Sequence, residues 1–232
     1  MASLRDTAAC IGVTGDFSVV RDFYGYLAKP EDPSPDPGFP DLSVLMQVRL
    51  LQGRHVHLNL IRVGIESFTP DDEAEIDGAV QLTRDLYEQV SLGIGRVLRF
   101  FVTTADANGH EHLTSEAEAE ALTHDWTVPN DAIDVFFVRS FLVHGFIQPT
   151  GLSPIEGPCD KNGVRMNGCV VRMMGGSLPT GFVLAHYVAQ YLGLGDSDDN
   201  QNVMFSTVPN GGELTPSQGA NMRDQCFVNH GC

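Results

Sequence analysis

Residues 181–196 read GFVLAHYVAQYLGLGD, and one histidine inside this apolar helical run decides how the chain is to be understood. His186 and Gln190 are four apart, so they share one face of a helix. Gly193 lies three residues beyond Gln190, and Asp196 three beyond that. A glycine there lets the chain turn sharply and bring Asp196 back towards the face that carries His186. A lone histidine on a helix is ordinary, and so is a glycine at a helix end. Their joint spacing makes this segment a candidate ligand helix rather than a plain core helix.

Downstream, NVMF places Met204 in a tight turn after the acidic stretch DSDDNQ. LTPSQGANMR then reads as a helix with a Thr215–Gln218 capping box and Pro216 at its first position. Upstream, FTPDDEAEIDGAVQLTRDLYEQV is the longest helix. Thr69 is its expected N-cap, Pro70 its first residue, and Ile76, Ala79, Val80, Thr83, Leu86 and Val90 form its buried stripe, with Gly93 ending it. Val56, Leu58 and Leu60 alternate with His55, His57 and Asn59, the period of a half-buried strand. A preceding strand over SVLMQVRLLQG is expected to pair with it through a turn at Gln52-Gly53. RVLRFFVTTA reads as a strand and HLTSEAEAEALTHDW as a short polar helix. Ala132–Val143 is nearly continuous in apolar residues, as in a strand buried on both faces. CVVRMM reads as a short edge strand.

These features together resemble the metzincins, the zinc-peptidase clan with the signature H-E-x-x-H-x-x-G-x-x-H and a methionine turn. On HYVAQYLGLGD, His186 matches the first ligand, Gly193 the glycine and Asp196 the third ligand, while Met204 falls at the methionine turn. The long helix and the 132–143 strand match the clan's first helix and central strands, so the similarity covers about residues 45–228. The resemblance implies an α+β, zincin-like fold. That fold has a mixed, mostly parallel twisted sheet, a long first helix, an active-site-type helix, a methionine turn and a C-terminal helix. The expected organisation is an N-terminal extension with a proline-rich acidic linker over 1–41, then a domain over 42–232. Its upper part would span 42–193 and its lower part 194–232.

The departures fall on the chemistry. Tyr187 stands at the position of the glutamate base, and a phenol with an ordinary pKa near 10 cannot take a proton from water at neutral pH. Gln190 replaces the second histidine with an amide, a poor zinc ligand beside imidazole. His186 and Asp196 are then vestigial ligands, where a catalytic zinc uses three protein ligands and a water. Losing the base alone costs on the order of 10²–10⁴ in rate. The expectation is a pseudoenzyme with no cofactor, retained as a binding or structural module. A protein or peptide would occupy the old cleft between the 180–193 helix and the 144–170 loop. Tyr187 and Gln190 would bond to each other on its floor and fill the metal's place. The alternatives are an active zinc peptidase with a rearranged site, or an assembly component using other surfaces. The rearranged site would add one of His55, His57, His110, His112, His124, His144 or His230 to His186 and Asp196. Oxygens of Asp196, Asp198, Asp199 and Asn200 could hold calcium.

Thirty acidic against fourteen basic residues argue against nucleic acid or anionic lipid as partner. No apolar run reaches the about 18 residues of a membrane span. Charges at Arg5, Asp6, Asp16 and Arg21 break up the N-terminus, so no signal peptide is expected in this chain. Five cysteines include no CxxC. Cys159 with Cys169, and Cys226 with Cys232, would form local bridges in an oxidising compartment, leaving Cys10 free. Paired cysteines and the resemblance together lean towards an exported or extracellular setting.

Overall fold

The strands at Arg21–Tyr26 (β1) and Ser43–Val48 (β2) pair with each other, antiparallel, from Arg21 opposite Val48 to Tyr26 opposite Ser43. The second was expected to pair with the strand that follows at residue 54. It belongs instead to a separate unit, Ile11–Gln52, and the larger unit takes up the chain again at Gly53. The computed structural model describes residues 21–26, 43–48, 54–143, 148–161, 166–209 and 211–230, the first two stretches and His230 as backbone alone. The expected linker at 29–41, the turn at Gln52-Gly53, His144, Cys10 and Cys232 lie outside the described residues.

In the larger unit the elements follow as β3 (Arg54–Val63), α1 (Pro70–Glu88), β4 (Leu92–Val102), α2 (Thr104–Ala107), β5 (His112–Leu113) and α3 (Glu116–Asp125). Then come β6 (Ala132–Val138), β7 (Ser140–Phe141), β8 (Gly151–Leu152), β9 (Gly168–Arg172), α4 (Ser177–Tyr191), α5 (Pro216–Arg223) and β10 (Val228–His230). The sheet runs β4-β3-β6-β9 in parallel and ends on antiparallel β8, while β10 pairs antiparallel with the first residues of β3. This is the mixed, mostly parallel architecture expected. β9 is an inner strand rather than an edge, because the two residues of β8 cover its outer side.

All seven residues of β6 are buried, so both faces of the sheet are covered, as its unbroken apolar run implied. The run does not continue as one strand to Val143. It breaks at Arg139, whose guanidinium is drawn to the Asp72 carboxylate at 2.8 Å and lies 4.2 Å over the Phe68 ring. Beyond that break β7 pairs with β5. One face of the sheet packs on α1 and α4 through Val56, Leu58, Val135, Phe137 and Val171, the other on α3 through Ile61, Phe136, Val138 and Val170.

Helix α1 begins as its sequence dictates. Thr69 caps the Asp72 N–H, Asp72 returns a bond to the Thr69 N–H at 2.7 Å, and Pro70 occupies the first position. It stops earlier than expected. Ser91, at φ +55°, makes the left-handed turn, and Gly93 is already in β4. Helix α4 lies along α1, tied by the buried Tyr87 hydroxyl donating to the Ala185 carbonyl at 2.7 Å. That bond fixes the height of the residue just before His186. Helix α5 carries its predicted Thr215–Gln218 capping box.

Candidate functional site

Helix α4 is buried along most of its length, and His186 is 2 % exposed. Its Nδ1 donates to the Val203 carbonyl at 2.9 Å. A carbonyl only accepts, so the proton sits on Nδ1 and Nε2 keeps its lone pair. Burial holds the His186 pKa below its ordinary value, outweighing the Val203 bond and the Asp196 charge, so the ring is neutral. Nε2 faces Asp196 Oδ1 at 3.8 Å.

The turn after the helix brings Asp196 back as the spacing requires. Gly193 has φ +88°, a backbone angle open to glycine, and its N–H returns to the Gln190 carbonyl at 2.8 Å. The Met204 turn closes the site from below. Met204 is fully buried, and its carbonyl accepts the Ser197 N–H at 2.7 Å. Asn202, at 2 % exposure, holds this turn in place. Its Oδ1 accepts the Met204 N–H at 2.9 Å, and its amide exchanges two bonds with Gln218 of the α5 capping box. Sequence reading missed Asn202; its position two residues before Met204 was the available signal.

Tyr187 and Gln190 do not bond to each other. Gln190 Nε2 donates to Asp196 Oδ1 at 3.1 Å. The Tyr187 hydroxyl lies 3.2 Å from Thr150 Oγ1, and its ring packs over the backbone of β8. A Cβ at residue 151 would stand 2.5 Å from a Tyr187 ring carbon, so only glycine fits there. Burial raises the Tyr187 pKa, the phenol stays protonated, and it cannot serve as a base. Thr150 and Gly151 were not singled out in the sequence, because nothing local marks them as partners of a residue 37 positions away.

Among the described residues, no group of three His, Cys, Asp or Glu side chains converges on one point. His55, His57, His110, His112 and His124 therefore do not join His186 and Asp196. The carboxylates of the acidic loop do not converge on a calcium position either. Instead Asp199 Oδ1 caps the Gln201 N–H at 3.0 Å and Ser197 Oγ caps the Asp199 N–H at 3.2 Å. His186 Nε2 and one Asp196 oxygen make two donors, and the Gln190 amide directs its N–H groups at Asp196 rather than offering an oxygen there. That set does not fit a catalytic zinc.

The expected local bridges are replaced by a longer one. Cys159 joins Cys226 across 67 residues, and Cys169 is a buried thiol in β9. Cys169 lies in the core between β6 and β8, and Cys159 is committed to Cys226. The bridge staples the 150–161 loop beside α4, where Glu156 and Gly157 N–H groups cap the Gln190 and Tyr191 carbonyls at 3.0 and 2.9 Å. Next to it, Lys161 and Asp134 form a buried ion pair at 2.9 Å. Asn59, Thr127 and the Val128 N–H occupy the remaining sites on the Asp134 carboxylate.

Sheet, helices and turn define a metallopeptidase-like, α+β fold. No protein-family model matches the chain, and no curated protein sequence does. Solved structures do match in shape. Metalloproteinase-II from Bacteroides fragilis is similar at 14% identity and a TM-score of 0.50, over 75% of this chain and 53% of that one. A chain from a chaperone–substrate complex is similar at 13% identity and a TM-score of 0.51, over 80% of this chain and 39% of that one. This chain thus spans about half, or less, of the length of these structures. At such identities the likeness shows the fold alone.

Proposed function

We propose that this protein is a metallopeptidase-type fold without zinc-dependent peptidase activity, retained to bind a protein or peptide in the cleft beside α4. The carrying observation is the commitment of Tyr187. The residue at the base position is protonated and spends its hydroxyl on Thr150 and its ring on Gly151. Gln190 and Asp196 are likewise paired with each other rather than aimed at a common point. A cleft floor built of mutually satisfied side chains costs little to keep without metal, and it leaves an antiparallel edge strand, β8, along one side. Such an edge can pair with an extended peptide. One neighbour in shape comes from a chaperone–substrate complex, which accords with protein binding. The Cys159–Cys226 bridge supports an exported setting.

The reading is tested by metal analysis of protein purified without chelator, together with hydrolysis of a quenched peptide library. Well under one zinc per chain and no chelator-sensitive cleavage are expected. The triple variant Tyr187→Glu, Gln190→His, Asp196→His should gain stoichiometric zinc. Stoichiometric zinc in the unaltered protein, with cleavage lost on chelation, would overturn the reading. It would favour a rearranged site on His186 and Asp196, to which the free lone pair of His186 Nε2 lends some support. For the binding role, a displayed peptide library should yield sequences captured by the unaltered protein and lost with Tyr187→Trp. Peptides that bind both proteins equally would place the interaction on other surfaces.

A further inference from the structure

Strands β3 and β4 run in register from Arg54 opposite Leu92 to Val56 opposite Ile94, and again from Leu58 opposite Val97 to Val63 opposite Val102. Between these stretches a single residue of β3, His57, stands against two of β4, Gly95 and Arg96. This is a β-bulge in a parallel pair, where bulges are rare. A bulge takes a backbone N–H out of the ladder, and such a group needs another acceptor if water does not reach it. The acceptor here is a side chain: His57 Nδ1 takes the Arg96 N–H at 2.9 Å. A nitrogen that accepts carries no proton, so the His57 ring is neutral with its hydrogen on Nε2. That N–H faces Asp131 Oδ2 at 3.8 Å. Gly95 supplies the room, since a Cβ there would lie 2.8 Å from His57 Nδ1 and 2.6 Å from Cδ2 of His55.

The surroundings oppose a second proton on His57. From β4, Arg96 brings its guanidinium; on β3 itself, the His55 ring lies 4.9 Å away, centre to centre. His55 is 6 % exposed, and its Nδ1 is buried with no hydrogen-bond partner. Among the described residues, Asp131, just before β6, is the group that favours the charge, and Arg96 already engages it. Ala132 of β6 opposes His57 and Asn229 of β10 opposes His55, and neither is charged.

We propose that His57 is a proton-operated latch on this bulge. Neutral, it closes the bulge by accepting the Arg96 N–H. Protonated, it places a donor against that donor, releases it, and loosens the start of the sheet, where β10 also pairs with Arg54–Val56. Burial first, and then the Arg96 charge, hold the His57 pKa below 6.5. An unfolded chain takes up this proton near 6.5, the folded one only at lower pH. The stabilisation from His57 is therefore whole above about pH 6.5 and is lost as the pH falls from there to the folded value.

The test is a pH series from 8 to 5, with histidine ring titration by NMR and amide exchange on the full chain. His57 should titrate below 6.5, and the Arg96 amide protection factor, corrected for intrinsic exchange, should fall by up to about tenfold per pH unit from pH 6.5 down to that midpoint and level off below it. In His57→Asn an amide oxygen can still accept the Arg96 N–H but cannot be protonated. It should keep Arg96 protected to pH 5 and lose less stability between pH 7 and 5 than the unaltered protein. His186 is present in both proteins and cancels from the comparison. A His57 midpoint at or above 6.5, or Arg96 protection that does not change with pH in the unaltered protein, would overturn the proposal. These two readouts decide it even if His57→Asn fails to fold.

Discussion

The Tyr187 hydroxyl lies 3.2 Å from Thr150 Oγ1, joining helix α4 to the loop that leads into the edge strand β8. The same ring covers Gly151 so closely that it excludes any other residue there. Tyr187 is thereby part of the packing that joins α4 to β8.

This contact should be measurable in stability. Tyr187→Phe removes one partly buried hydrogen bond and should cost about 1 kcal/mol in urea unfolding. Gly151→Ala should cost about 1–3 kcal/mol, because its methyl group meets both the Tyr187 ring and the Val170 carbonyl. Gly151→Ala combined with Tyr187→Ala should recover part of that loss. No recovery would mean that the Val170 carbonyl alone sets the constraint.

Lys161 and Asp134 make an ion pair that is 5% and 0% exposed at its two side chains. Lys161→Ala leaves a buried carboxylate with its charge uncompensated and should cost about 3–5 kcal/mol. Lys161→Ala with Asp134→Asn should cost less than Lys161→Ala alone, because the double variant carries no buried charge. Equilibrium urea denaturation of the three proteins at one pH compares them directly.

The Cys159–Cys226 bridge closes 67 residues that include α4 and the Met204 turn. Replacing both cysteines by serine should cost about 4 kcal/mol on the chain-entropy account. A reducing agent should lower the melting temperature of the unaltered protein and leave that of the variant unchanged. A variant as stable as the parent would show that the loop contacts on Gln190 and Tyr191 already hold the segment.

Arg139 holds the Asp72 carboxyl well below the ordinary carboxylate range through paired bonds at 2.8 Å. The folded state therefore keeps Asp72 ionised where the unfolded chain, near 3.8, takes up a proton. The resulting stabilisation is present above about pH 4 and is lost as the pH falls below it. Arg139→Gln should flatten the acid limb of the stability curve and cost about 1.5–3 kcal/mol at pH 7. An unchanged acid limb would assign acid sensitivity to other carboxylates.

Local signals carried much of the architecture. Thr69-Pro70 with Asp72, and Thr215-Pro216 with Gln218, define their helix starts because capping is settled within four residues. The apolar run of β6 announced a strand covered on both faces, and the spacing of His186, Gly193 and Asp196 announced the return of the chain after α4. These features depend on contacts a few residues apart, so the sequence by itself determined them. Only the tertiary structure decided the rest. It paired β2 with β1, made β9 an inner strand, turned Tyr187 to Thr150 and Gln190 to Asp196, and joined Cys159 to Cys226. It also set His57 against the Arg96 N–H. Each of these is a choice among several chemically equivalent partners far apart in the chain. Such a choice is made by whichever groups the packed sheet and helices bring within hydrogen-bonding reach.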